Sequence, residues 1–472
     1  RSSAASDVYK RQAPARGQNF TWSGGGDGVN WSDGDNWVGG VAPGAGSSLV
    51  FTGATAGTLV NDFAPDTIFG NITFPVGSDT PFTLTGNSIR LSGDVFGGLG
   101  VTNHNIRTAI TLLHNATFAV GTRTNLNVRA DIAGAGFGII KTGNRTLNLQ
   151  EATSYTGPTT IRSCAISVIS NNTVGGFTGS ISSSSDLVMG SYRTSGNYAA
   201  ALTVNRTGGE IQMFNSTTFL AGISEVTTAR SSGSGTMRLN LGNVTRQTGS
   251  VVSFSNGSNS TINSTNLANT NGILGGWAYV GGNFATLNGT GYVVAYSGYT
   301  FIADKAAPVI ENNAANNIQL RTADLYSYSI TEDAASGATE LKVSSVVGFK
   351  VGDLASLSTT ENMVQTAPQI APGTTITAID EGNLTITLSQ GLTRAVPYTS
   401  NAMFRASSPV LLNATGVVDA NAIHKADPYT RAIDIGDGNT LRLGAQGGIF
   451  TTADSDTCRG ALFICLLYTS PS

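Results

Sequence analysis

The chain is poor in charge, in cysteine and in histidine. Only 12% of its 472 residues are Asp, Glu, Lys or Arg, about half of the roughly 25% usual for a soluble domain. Thr, Ser, Asn and Gly must therefore cover the surface. A formal net charge of -3, with no Lys/Arg run interleaved with aromatics, excludes the basic footprint that nucleic acid requires. Three cysteines, Cys164, Cys458 and Cys465, stand too far apart for a metal knuckle or a disulfide framework, so packing and backbone hydrogen bonds must supply stability. No apolar run approaches the roughly 18 residues needed to span a bilayer. No segment of about 12 residues combines a 3.6-residue period with caps, so very little helix is expected.

What is present is short-range alternation. Ile68, Ile72 and Phe74 in TIFGNITF, Leu126 and Val128 in NLNV, Leu147 and Leu149 in TLNL, and Ile386 and Leu388 in TITL all place apolar residues two apart, the period of strands with one buried face. A degenerate unit of Gly or Asn followed by such a strand recurs as GNSIRLSG from Gly86, GNRTLNL from Gly143, NNIQL from Asn316, GNLTITL from Gly382 and GNTLRLG from Gly438. Gly and Asn tolerate positive φ and so supply a corner before each strand. A chain that turns this often and has no helices to cover a sheet is best satisfied by stacking coils of about 20 to 25 residues. An antiparallel sandwich is the alternative, but regular hairpin turns are missing.

Two regions interrupt this pattern. From Tyr328 to Arg405 acidic residues gather (Glu332, Asp333, Glu340, Asp353, Glu361, Asp380, Glu381), and the segment reads as a small β unit set into the solenoid, whose pattern resumes afterwards. At the extremities, residues 2–12 read SSAASDVYKRQ and residues 465–470 read CLLYTS. Reverse-complementary codons, read in different frames, can encode the two strings, which resemble a translated sequencing adapter, so residues 1–12 and 465–472 are set aside from fold reasoning. Ala13, Pro14 and Ala15 then have the small-x-small form of a signal peptidase site. The expected organisation is β-helix over 13–327, the inserted unit over 328–405, and β-helix again over 406–464.

Residues 134–168, GAGFGIIKTGNRTLNLQEATSYTGPTTIRSCAISV, resemble the autotransporter-associated β-strand repeat. Gly134, Gly136, Lys141, Thr142, Gly143, Thr146, Leu147, Leu149, Tyr155, Thr156, Gly157 and Thr159 fit its pattern. Arg145, Glu151 and Cys164 depart from it, where the family usually has Gly, as does Thr153, where it usually has Asn. The stretch around Trp22, Trp31, Trp37 and Pro43 is similar to the N-terminal lead-in of large secreted proteins that carry these repeats, and the stretch around Trp277, Ala278 and Tyr296 to a mid-chain segment of the same proteins. The resemblance implies a β-helical passenger exported to the surface or outside of a Gram-negative-type bacterium, frequently as part of a far larger chain. It implies no particular ligand.

Chemistry-bearing residues are few. Only three histidines occur, and HExxH, GxSxG and P-loop patterns are missing. His104 and His114 lack a third ligand nearby and are expected at the surface or a sheet edge. Asp27, Asp33 and Asp35 lack the spacing of a Ca²⁺ loop and are expected to bond their own backbone as Asx turns. Trp22, Trp31 and Trp37 could stack on sugars, but capping the end of the core is the favoured reading. Asp419, Asp427 and Arg431 are too loosely spaced to favour a lyase or hydrolase. Asn71, Asn115, Asn205 and Asn383 head Asn-x-Ser/Thr triplets that arise by chance in such a composition, and no glycosylation is read from them.

The expectation is an all-β, right-handed parallel β-helix with a small inserted β unit, carrying no catalytic, cofactor or metal site. It would be a non-enzymatic passenger, extracellular or on a bacterial outer-membrane surface, serving adhesion or presentation. Its partners would be extracellular glycans or other cell-surface components, with no nucleic acid and no membrane span. A carbohydrate-acting β-helix enzyme and a phage tail-spike-like fragment are the alternatives.

Overall fold

The computed structural model describes residues 17–451 apart from 53–56, 76–79, 99–102, 122–124, 172–176, 192–198, 303–307, 322–325, 359–368, 372, 399–401, 409 and 427–432. The two adapter-like ends therefore lie outside the described residues. Half of the chain is strand, no α-helix occurs among the described residues, and stacked parallel sheets form a β-solenoid of about 14 turns. Among the described residues no helix is long and apolar enough to cross a membrane. The chain divides into two compact units, one comprising residues 1–267 with 287–294, the other 268–286 with 295–472.

In the first unit the coils present up to three faces. One face stacks ten parallel strands, from Asn19–Trp22, Ser48–Phe51, Ile72–Phe74 and Val95–Gly97 through Ala116–Val120 and Ile139–Thr142 to Asn243–Arg246. A second runs in parallel from Gly57–Asn61, Phe82–Gly86, His104–Ile106 and Leu126–Val128 to Ser250–Asn256. A third holds Thr67–Phe69, Ile89–Leu91, Ile110–Leu112 and Ile132–Ala133, and reappears as Ile211–Met213, Met237–Asn240 and Ser260–Asn263. The two-residue alternation explains this: Leu49 lies over Ile72, Phe118 over Val95, and Leu126 over Leu147, all buried. Each such side chain contributes about 1.5–3 kcal/mol by leaving water.

Corners are held by side chains that take over where the strand ladder breaks. Asn71 N–H donates to Ser48 Oγ (3.0 Å), Asp94 N–H to Asn71 Oδ1 (2.8 Å) and Gly138 N–H to Asn115 Oδ1 (2.9 Å), each pair 23 residues apart. An unpaired backbone group at a buried corner would otherwise go unsatisfied. Later coils are longer: Ser216 Oγ reaches Asp186 across 30 residues and Thr218 reaches Thr245 across 27. Where the third face lapses, the buried Gln212 amide stands in for a strand, accepting from Ile181 N–H (3.0 Å) and donating to Ile181 O (2.9 Å).

The second unit contains shorter parallel stacks, Thr300–Phe301, Asn313–Leu320, Val417–Lys425 and Thr440–Leu443 in one sheet and Val309–Ile310, Val410–Leu412 and Ile433–Asp434 in another. Asn313–Leu320 and Val417–Lys425 are neighbours although Gln319 and His424 are 105 residues apart. Between them lie two antiparallel sheets. Tyr326–Ser329 and Leu354–Ser358 flank Met403–Ser407, and Glu340–Lys342 and Ile376–Asp380 flank Thr385–Leu388. They enclose a core of their own that includes Ile330, Leu341, Ile386 and Phe404.

Close coil approach makes one glycine testable against another. Gly143 and Gly136 both have positive φ (84° and 76°), which costs alanine about 1 kcal/mol. Only at Gly143 would a Cβ also stand 2.2 Å from Val120 O, whereas at Gly136 nothing lies within 4 Å. Gly143→Ala is expected to cost at least about 2 kcal/mol more than Gly136→Ala in urea unfolding. Equal losses would mean that the corner does not press on the preceding coil.

Candidate functional site

The acidic loop is closed on itself. Asp27 Oδ1 accepts from Val29 N–H (2.8 Å), Asn30 N–H (2.9 Å) and Asn36 Nδ2 (2.7 Å), while its Oδ2 accepts from Asn30 Nδ2 (2.7 Å). These donors, the Asn30 and Asn36 bonds foremost, hold the Asp27 carboxyl far below the usual carboxylate range. Asp33 accepts from Asp27 N–H (2.9 Å) and Asp35 N–H (3.1 Å). The carboxylates thus act as Asx turns that shape the loop. Among the described residues no group of three or more His, Cys, Asp or Glu could hold a metal ion.

The loop carries three tryptophans inward. Trp22, Trp31 and Trp37 are all buried. Trp37 packs edge-on against Trp22 (5.1 Å between rings), and Trp31 rests on Phe51 (5.4 Å) and Phe69 (5.7 Å). Trp37 Nε1 donates to Trp31 O (2.8 Å), and Val38 N–H to Thr21 O (2.8 Å). A sugar platform needs exposed ring faces, so these rings close the core at the first strand instead. They also place a peptide segment along an otherwise open strand edge.

His104 is not at the surface. Its place in the alternation HNI points it inward, where it is 1% exposed and stacks on Phe74 (4.2 Å, 10° between planes). Its Nδ1 accepts from Phe82 N–H (3.3 Å), and burial pushes the ring down to about 4, so it stays neutral. The expectation failed because composition alone treated His as polar, whereas its parity matches Ile106. His114 sits at a corner, half-exposed, with Nε2 2.8 Å from Gly93 O. The two imidazoles therefore serve different surroundings. Asp419 lies opposite Arg442, which donates from Nε (2.5 Å) and Nη2 (2.8 Å) to its two oxygens. Asp427 and Arg431 lie outside the described residues.

The polar residues that matter most to the repeat were not singled out as sites. Lys141 and Tyr155, both part of the repeat pattern, are fully buried. Lys141 Nζ donates to the carbonyls of Thr142 (2.6 Å), Gly143 (3.5 Å) and Ser163 (3.3 Å), joining its own corner to the next coil. Tyr155 Oη bonds Thr159 Oγ1 (2.7 Å), which bonds Ser185 Oγ (2.9 Å), which donates to Gly157 O (2.8 Å). The signal was available: Lys141 is two residues from Ile139 and shares its inward parity.

The outward parity of the second face is just as regular. Thr83, Asn105, Asn127, Asn148, Ser167 and Thr203 lie one above another in register, all half-buried. Asn148 Nδ2 donates to Asn127 Oδ1 (2.7 Å) and Asn127 Nδ2 to Asn105 Oδ1 (3.0 Å), fixing the amides in one direction.

Lys141 has a measurable signature. Carbonyl contacts favour its ammonium form, but burial outweighs them and pushes the amine down to about 8, Cys164 pulling slightly the other way. An unfolded lysine titrates near 10.5, so between pH 8 and 10.5 the unfolded chain binds the extra proton and stability rises with pH. Going from pH 7.5 to 9.5 is expected to add about 1–2 kcal/mol to the first unit, and Lys141→Met to remove that slope. A slope unchanged by the substitution would place the charge penalty elsewhere. No family model, curated protein or solved structure matches the chain, so the resemblance of residues 134–168 stands on those residues alone.

Proposed function

We propose that the chain is a non-enzymatic, secreted or cell-surface β-solenoid of the bacterial passenger kind, which adheres to extracellular glycans or presents its side unit, residues 326–407. The observation that carries this reading is the outward row of amides and hydroxyls from Thr83 to Thr203. Neutral, oriented donors and acceptors repeated once per coil suit hydroxyl-rich chains, and they lack the paired acid and base of a glycosidase. The one loosely acidic candidate that is described, Asp419, has both oxygens occupied by Arg442. A low-charge surface rich in Thr and Asn also suits an extracellular setting, where the resemblance to passenger repeats points.

Purified protein is expected to be retained on insoluble neutral polysaccharide and to stay bound in molar salt, because no charge pair is screened away. Asn127→Leu, which interrupts the ladder, is expected to weaken retention about fivefold, the loss of roughly one hydrogen bond. Release of reducing ends in proportion to protein concentration would overturn the non-enzymatic reading. Failure to bind any of a panel of neutral and acidic glycans would overturn the adhesive one.

A further inference from the structure

His424 lies at the centre of the second unit. On Val417–Lys425 its neighbours in register are Gln319 on one side and Phe450 on the other. The ring is 2% exposed. It stacks on Phe450 (4.9 Å, 28°) and meets Tyr299 (5.3 Å) and Phe284 (6.2 Å). Its Nδ1 is 2.8 Å from Gln319 Nε2, whereas its buried Nε2 has no hydrogen-bond partner among the described residues. One nitrogen is thus spent on a neutral amide and the other faces aromatic carbon.

Among the described residues, nothing packed against the ring compensates a positive charge. Asn313–Leu320, Asn283–Leu287 and Ile449–Thr451 contain no ionisable side chain. Tyr299, which does face the ring, is held neutral by burial and accepts from Phe284 N–H (3.0 Å). On its own strand, Asp419 is committed to Arg442 and Lys425 has the opposite parity. A buried imidazolium without a counter-charge is strongly disfavoured.

We propose that His424 is an acid-operated latch: a proton taken up on its ring ejects it from the Phe284, Tyr299 and Phe450 nest and frees Ile449–Thr451 from Val417–Lys425. The antiparallel sheets of residues 326–407 have a separate core and stay closed. The proton arrives from solvent at Nδ1, which ends the bond accepted from Gln319, and Nε2–H is left aimed at the rings. Burial holds the closed ring near 4 against an ordinary 6.5. The opened state therefore binds the proton first as pH falls, and closure weakens through that window by up to a few hundred-fold.

Hydrogen exchange of the whole chain from pH 7 to 4, corrected for the intrinsic rate, tests this. Amides of 417–425 and 449–451 are expected to lose protection on the order of a hundredfold before those of 376–380 and 385–388 change, and to recover on neutralisation. His424→Phe, which keeps the aromatic nest filled, is expected to abolish the pH dependence, while His104→Phe in the first unit leaves it intact. Should His424→Phe not fold, the ring itself decides through its nuclear magnetic resonance titration in the unsubstituted protein. A ring that titrates above about 6, protection kept to pH 4, or simultaneous loss in 385–388 would each overturn the latch.

Discussion

The structure of the first unit depends on one constraint, the in-register parallel ladder between successive coils. Each coil must return to the same place with the same parity, so that Phe74 lies over Gly97 and Leu84 beside Ile106. A slip of one residue would turn every inward side chain to solvent. The 23-residue spacing of the corner bonds from Ser48 to Asn71 and from Asn71 to Asp94 is the local expression of that demand. It leaves little room at the corners, which is why Gly143 lies against Val120.

The same constraint decides where polar groups go. A three-faced coil with short strands has many corners, and each corner carries backbone groups that the ladders cannot satisfy. Lys141, Gln212 and the Asn71 series serve such groups from inside or from the rim, and Tyr155 reaches one, Gly157 O, through Thr159 and Ser185. Chemistry that would elsewhere signal a reaction is here spent on holding the coil closed. The buried lysine is the clearest case, because its amine meets carbonyls from two coils and, among the described residues, no carboxylate.

Much of the solenoid was legible in the sequence, because alternation and Gly/Asn corners are the physical cause of strands that stack. The lack of helix and the parallel stacking followed from those two features. What was not legible was inward parity for polar residues. His104 was placed at the surface on its chemistry, yet it occupies the same parity as Ile106 and stacks on Phe74. Trp22, Trp31 and Trp37 were read correctly as a cap because their alternative required exposed rings. The lapse of the third face between Ile132–Ala133 and Ile211–Met213 had no sequence signal, since Ser154 and Tyr155 N–H on Ile132 O, the Ala152–Ser180 bridge and the Gln212 amide on Ile181 span it without a regular strand. The outward Asn row was equally hidden, since register across coils, and not spacing within one, aligns Asn105, Asn127 and Asn148.

Register also explains how such a scaffold can carry additional structure. Asn313–Leu320 and Val417–Lys425 pair as adjacent strands although their partners Gln319 and His424 are 105 residues apart, and the antiparallel sheets of residues 326–407 occupy that interval. The entropic cost of a longer loop grows only logarithmically, so an insertion with its own core burdens the flanking coils little, provided both strands keep parity. An inward polar group larger than Ser, by contrast, needs a partner inside the coil, as His104 finds in Phe82 N–H. Novel surface therefore accumulates in side units and outward rows, and the inward positions stay fixed by the ladder they support.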